Sequence, residues 1–340
     1  MSAPYARMRT FGWRIWSVGD AVRQGMYSAG QTVCTTDSVG PLWPTLARAR
    51  SGQAVLLSSS PDGAVHRWDM FTGRMLWASD SGYTGSLLAV ASPEDSNLVV
   101  AIATEDGVVR LNALTGEELP GPEMASDNTI WDVATGVLPD GRVFIAGAGH
   151  CDFPVYLWEA ATGVPLCPPL YGHTGPVKTV TAITLQDGTA LVASEDESGL
   201  ILRWDAASGQ PFGAPIHGPG DTNMQLVSLP LGDGRTMLAS LDMHGTLSRW
   251  NAVTGEQIGP LLQPGPNTSL TAATAADGGI LFTAPFDGRT TLWDATSGEP
   301  FGPSLPGSGP AALTCFDGSV RLATRTGEGE MTIRRLFDRE

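Results

Sequence analysis

The sequence contains one lysine, Lys178, among its 340 residues, and its nineteen arginines are scattered without forming a run. At a formal net charge of −15 it has no basic patch from which phosphate binding could draw free energy, which argues against nucleic acid or an anionic membrane as partner. A partner of cationic character fits better. Cysteine is scarce too: Cys34, Cys151, Cys167 and Cys315 lie far apart with no Cys-x-x-Cys. That spacing suits neither a disulfide framework nor a structural zinc site, and the four are read as reduced thiols. Long apolar runs are missing. "LVVAIA" at 98–103 falls far short of the roughly 20 residues a membrane span needs, and the N-terminus has no apolar signal core. A soluble, cytoplasmic chain is expected, and 42% apolar content over this length can bury a large core. No Gly-x-Ser-x-Gly, phosphate loop or His-Glu-x-x-His occurs, so no motif points to catalysis, and neither metal nor cofactor is implied.

What the chain has in quantity is repetition. "HRWDMFTG" ends at Gly73, "VRLNALTG" at Gly116, "YLWEAATG" at Gly163, "LRWDAASG" at Gly209, "SRWNAVTG" at Gly255 and "TLWDATSG" at Gly298. The tryptophan slot falls at Trp68, Leu111, Trp158, Trp204, Trp250 and Trp293, in steps of 43 to 47 residues, and a further step reaches Leu336. "TIWDVATG" at 129–136 carries the same signature out of step. An Asp140-Gly141 turn follows it between two apolar runs, so Trp131 is expected in the first strand of a hairpin and not in the signature strand. Matching turns stand at Asp187-Gly188, Asp233-Gly234, Asp277-Gly278 and Asp317-Gly318.

Each repeat therefore reads as a four-stranded antiparallel meander, a to d. In the fourth, strand a is "VKTVTAIT" and strand b "TALVAS"; an acidic loop "EDES" leads to strand c, "LILRWD", and "QPFGAPI" is strand d. Prolines crowd the d segments, as suits an edge strand, because proline cannot donate to a sheet ladder.

Over about residues 41–337 this pattern resembles the WD-repeat, or β-transducin-like, family of β-propellers, of the bacterial type. The resemblance implies an all-β fold: a seven-bladed β-propeller of four-stranded antiparallel blades over residues 41–340. Residues 1–40 would then form an N-terminal segment that includes the ring-closing strand, since the seventh repeat has no strand d before Glu340. "FGWRIWS" (11–17) and "AVRQGMYS" (21–28) are the candidates for that strand, and the first also reads as a worn strand c of an eighth, partial unit.

The family's hydrogen-bonded tetrad joins a Gly-His histidine, a strand b Ser or Thr, a loop Asp and the strand c Trp. Only the fourth repeat approaches it, with His173, Ser194, Asp196 and Trp204, where Glu197 competes with Asp196. Elsewhere Trp68, Trp158, Trp250 and Trp293 would hold the blades by apolar packing. Arg67, Arg110, Arg203, Arg249 and Arg335 precede the tryptophan slot, and each is expected to lay its stem between blades and its guanidinium on a loop carboxylate.

By the resemblance, His150, Cys151, Asp152, Asp242 and His244 lie between strands b and c, together with Glu195, Asp196 and Glu197, while His173 and His217 precede strand a. All would share one face. The first reading is a non-catalytic WD-repeat scaffold, a platform for a protein or peptide that meets Asp152, Glu195, Asp196, Glu197, Asp242 and His244. The alternative is an enzyme, of the kind found in bacterial secondary metabolism, that uses His150, Cys151, His173, His217, His244 and Asp196 on that face. A module that scaffolds only its own assembly is a third. Loops on successive blades diverge, so no three-histidine cluster is expected.

Overall fold

The computed structural model describes residues 31–35, 43–48, 54–60, 63–69, 71–79, 88–91, 98–122, 124, 129–218, 223–265, 268–275, 278–285, 289–306, 308–316, 319–325 and 331–337. Among them every regular element is a β-strand, and all pairings are antiparallel. No helix of the described residues is long and apolar enough to cross a membrane.

The strands form seven small sheets, set out here along the chain. The strand β1 (Gln31–Thr35) precedes the first, which holds β2 (Trp43–Arg48), β3 (Ala54–Ser59), β4 (Val65–Trp68) and β5 (Met75–Ala78). The second has β6 (Leu88–Ala91), β7 (Val99–Thr104) and β8 (Gly107–Asn112), and the third has β9 (Ile130–Val137), β10 (Val143–Gly149) and β11 (Val155–Glu159). The fourth comprises β12 (Val177–Thr184), β13 (Ala190–Asp196), β14 (Leu200–Asp205) and β15 (Ile216–His217); the fifth, β16 (Asn223–Pro230), β17 (Thr236–Asp242) and β18 (Leu247–Asn251). The sixth contains β19 (Thr268–Ala275), β20 (Gly278–Pro285), β21 (Arg289–Asp294) and β22 (Pro300–Pro306). In the seventh, β23 (Ser308–Phe316), β24 (Ser319–Arg325) and β25 (Met331–Phe337) are joined at the edge by β1. First strands adjoin in succession, β2 to β6, β9, β12, β16, β19 and β23, and β23 also lies against β2.

Two expectations change here. The strand that completes the seventh sheet is Gln31–Thr35, pairing Gln31 with Arg335 and Thr35 with Thr332. It is neither "FGWRIWS" nor "AVRQGMYS", both of which lie outside the described residues. Next, the second, third and fifth sheets have three strands. Their proline-bearing segments touch the third strand at two isolated bridges each: Val108 with Met124 and Leu111 with Glu118, Val155 with Leu170 and Trp158 with Pro165, Leu247 with Leu262 and Trp250 with Gln257. Proline alone does not decide this, since β22 of the sixth sheet runs as an edge strand from Pro300 to Pro306. In the hairpin turns of the third, fourth and fifth sheets only glycine has positive φ: 89° at Gly141, 86° at Gly188 and 91° at Gly234. Leu138 and Arg142 close a three-residue loop through Leu138 N–H to the Arg142 carbonyl, the geometry of a type I turn followed by a left-handed residue.

The core lies between sheets. The middle strands β10, β13 and β17 are buried on both faces, so they are mostly apolar or small, with carboxylates only at the ends of β13 and β17. Successive residues of a strand point to opposite faces, which gives the Arg-Trp pair of each third strand two neighbours. Trp204 faces back onto Phe144 and Ala146 of the third sheet, and Trp250 back onto Leu191 and Ala193 of the fourth. Trp158 meets Val99 and Ala101 in the same way, and Trp293 packs beside Met237 and Ala239. The arginines reach forward.

Their destination corrects the expected carboxylate. Arg203 Nη1 donates to the carbonyls of Ala252 (2.7 Å) and Val253 (2.9 Å), and Arg249 Nη1 to those of Ala295 (2.9 Å) and Thr296 (3.3 Å). Arg110 holds Ala160 and Ala161 likewise, and Arg67 holds Leu114. Each of these carbonyls sits in the turn that closes the recurrent octapeptide of the next sheet, while the other terminal nitrogen of Arg110, Arg203 and Arg249 donates to Pro120, Ala214 and Pro260 of its own repeat. The octapeptide turn is built by its own aspartate or asparagine: Asp294 Oδ1 accepts from Thr296 and Ser297 N–H, and Asn251 Oδ1 from Val253 and Thr254 N–H. The closing glycine takes φ of 77° at Gly255 and 74° at Gly298, which a side chain resists. The recurrent octapeptide is thus half of a latch whose other half is the preceding sheet's arginine.

Candidate functional site

Antiparallel alternation puts the hairpins and the arginine latches at one end of the sheets, and the starts of β9, β12 and β16 with the ends of β10, β13 and β17 at the other. The second end is irregular. Each of β9, β12 and β16 carries one extra residue there, because the ladder passes from Asp132 to Ile130, from Thr179 to Val177 and from Gln225 to Asn223. The bulged residues are Trp131, Lys178 and Met224, and each precedes its hairpin aspartate by nine positions. A bulge re-aims the local side chains.

The residues after the bulges tie the sheets together. Asp132 Oδ2 accepts from Thr179 Oγ1 (2.7 Å) and from Val180 N–H (3.0 Å), both in the fourth sheet. Thr179 Oγ1 in turn accepts from Leu226 N–H of the fifth at 3.1 Å, and Gln225 Oε1 from Leu270 N–H of the sixth. One sequence position therefore hands a side-chain acceptor to the next sheet three times in succession. Burial pushes the Asp132 carboxyl up to about 6, against the lowering effect of those hydrogen bonds.

Trp131 leads a second cluster. The His150 ring stacks on its indole, with centroids 4.2 Å apart and planes 17° apart, and the Lys178 ammonium lies 3.5 Å from the ring centroid. All three side chains are partly exposed. Burial lowers the Lys178 pKa while the charge of Glu197 acts to raise it. His150 begins a tight loop in which Asp152 and Phe153 both have φ of 56°, a left-handed pair without glycine that costs on the order of 1–2 kcal/mol per residue. Hydrogen bonds from Gly149 N–H to the Pro154 carbonyl and from His150 N–H to the Thr129 carbonyl hold it.

The tetrad of the fourth repeat has the expected histidine geometry. His173 Nδ1 lies 3.0 Å from Asp196 Oδ2 and Nε2 lies 2.6 Å from Ser194 Oγ, with the ring tilted toward Trp204. Asp196, not Glu197, takes the acidic role. Burial works to raise its pKa, yet hydrogen bonds from Ser198 and His173 hold it below the ordinary range; burial lowers that of His173. A partial counterpart that sequence matching missed stands in the first sheet, where Trp68 Nε1 donates to Ser58 Oγ at 2.8 Å.

Several candidates lie elsewhere than expected. Glu195, Asp196 and Asp242 are not loop residues: they end β13 and β17 and are buried, since the ladders run further than the apolar pattern does. Glu195 accepts from Ser240 Oγ at 2.7 Å, and burial, with Asp196 and Asp242 adding to it, pushes its carboxyl up to about 8. His217 is not in a loop before the fifth sheet but pairs with Leu200 at the edge of the fourth. Cys151, Asp152, Glu197 and His244 are exposed. Among the described residues, no three His, Cys, Asp or Glu side chains gather as a metal would require. The sequence held a signal for the cluster it did bring together: the lone lysine and the misplaced Trp-Asp pair share one offset from their hairpins.

No family model and no curated protein matches the chain. In fold it is similar to the computationally designed Ika8 protein, whose crystal structure it matches with a TM-score of 0.56 at 20% identity, over 90% of this chain and 100% of that one. Chains of solved structures that match it number 1540, so the fold alone selects no activity.

Proposed function

We propose that the chain is a WD-repeat protein, a seven-bladed β-propeller over residues 41–340 closed by its N-terminal segment, and that it works in the cytoplasm as a non-catalytic platform for a protein or peptide. Two contacts support the ring: β23 beside β2, and β1 on the edge of β25. The platform reading rests on how the polar groups are spent. His173, Asp196, Glu195 and Asp132 are committed to internal hydrogen bonds that link strands and sheets, which suits these four to the framework. The same end leaves a contact surface of Trp131, His150 and Lys178 with the exposed Asp152 and Glu197. In a chain of net charge −15 that surface suits a partner with cationic groups.

Screening the purified protein against an immobilised library of short peptides tests this reading. Binders enriched in Arg or Lys, weakened by salt and by Trp131→Ala, are the expected result. A library without binders, or enrichment of acidic peptides, contradicts it.

A further inference from the structure

We infer that the indole face of Trp131 covered by the Lys178 ammonium is the seat of a partner's arginine, and that Lys178 is a built-in occupant which gives way to it. The inference rests on the platform reading and names the chemistry of that surface.

The aromatic half of the seat is already formed. Trp131 is brought out by a bulge in β9 and its ring is stacked on His150, which the backbone hydrogen bond to Thr129 anchors. Its position therefore does not depend on Lys178. The occupant is brought in by the equivalent bulge of the neighbouring sheet, so two matched irregularities converge on one contact. It is also the chain's single lysine. Both side chains keep part of their surface in water, so the contact lies within reach of a partner.

Charge and shape then choose the ligand. Glu197 already acts on the Lys178 charge, and Asp152 stands exposed two residues beyond His150. An ammonium is compact and strongly hydrated, and it sits on a flexible stem. A guanidinium is planar and weakly hydrated; it stacks flat on an indole and offers a carboxylate two parallel N–H donors. Arginine thus gains more from an indole beside a carboxylate than lysine does, while the displaced Lys178 recovers its hydration by swinging outward. A tethered competitor lowers the apparent affinity by the fraction of time that it fills the seat, so its removal should tighten binding.

The single lysine makes the test direct. Isotope-labelled lysine places one side-chain NMR signal in the full-length protein, shifted by the Trp131 ring current. Titration with the capped tripeptide Gly-Arg-Gly should carry that signal saturably to the position of an exposed lysine, whereas Gly-Ala-Gly leaves it unmoved. Lys178→Met should bind the arginine peptide more tightly, by about tenfold if the seat is filled about nine-tenths of the time. Trp131→Leu should abolish the binding. A signal that stays in place at saturating arginine peptide overturns the inference, as does weaker binding by Lys178→Met. Library peptides that bind without moving the Lys178 signal sink the inference and leave the platform reading standing; an absence of any binding peptide sinks the platform reading itself.

Discussion

The two ends of the sheets are built by opposite rules. At the hairpin end the units share one set of parts: an aspartate or asparagine that caps the turn in most of them, a glycine at positive φ, and, on the turns of the second, third, fifth and sixth sheets, an arginine from the preceding sheet. At the other end neighbouring units differ in the residues they place at one position, with Trp131, Lys178 and Met224 on the bulges and Asp132, Thr179 and Gln225 behind them. At those four junctions the first end meets a similar demand, namely to satisfy turn carbonyls between sheets, so one solution recurs. The second end has a common backbone and unlike side chains, which is what a surface shaped for one partner requires.

The largest effect should come from breaking a latch. Arg249 is fully buried and serves Ala295, Thr296 and Pro260, so Arg249→Ala leaves three carbonyls without their donor and should cost about 3 kcal/mol, read as a lower urea midpoint. The third sheet is the control, because Leu157 stands in the arginine slot and that junction is apolar, with Leu157, Leu170 and Trp204 in one cluster. Somewhat smaller, about 2 kcal/mol, is the expected loss for His173→Ala, which strips Asp196 and Ser194 of a buried partner. A gain of stability there would show that the tetrad belongs to the variable end's function and not to its framework.

A pH effect of intermediate size follows from Glu195. Its folded pKa, about 8, lies above the ordinary 4.5, so between those values the folded chain keeps a proton that the unfolded chain releases. Stability from this group is full below about pH 4.5 and is lost as pH rises through about 8. Asp132 acts with the same sign but only up to about pH 6. Comparing urea midpoints near pH 6.5 and pH 8.5 in both proteins reads Glu195 against groups such as His173 that act with the opposite sign: wild type should fall, and Glu195→Gln should not. A wild-type midpoint unchanged across that range would refute the assignment. The smallest effect is at the variable surface, where Lys178→Met should cost no more than about 1 kcal/mol, the worth of one partly exposed cation–π contact.

This contrast explains what could be read in advance. The repeat period, the hairpins and the place of Trp131 in a first strand were legible, because tight turns constrain residue type locally. The arginine slot was visible too, but its acceptors were not: backbone carbonyls leave no mark in a sequence, so a carboxylate was expected where Ala252 and Ala295 serve. Glu195 and Asp242 look like loop acids for a similar reason, since nothing local reveals that Ser240 waits across the sheet boundary for Glu195. The bulges escaped notice because an inserted residue is defined by its partner strand. The strand at the edge of the seventh sheet was sought too early, as Gln31–Thr35 has a weaker apolar pattern than the segments before it.

The proposed ring, closed by pairing β1 with β25, is tested most directly by comparing two truncations in thermal unfolding. Removing residues 1–30 leaves Gln31–Thr35 and its partners Arg335 to Thr332 in place, whereas removing residues 1–36 takes the strand away. The shorter deletion should keep a cooperative transition at close to the wild-type temperature, and the longer one should lower it sharply or aggregate through the bared edge of β25. Equal melting temperatures and monomeric behaviour for both truncations would contradict the closed ring.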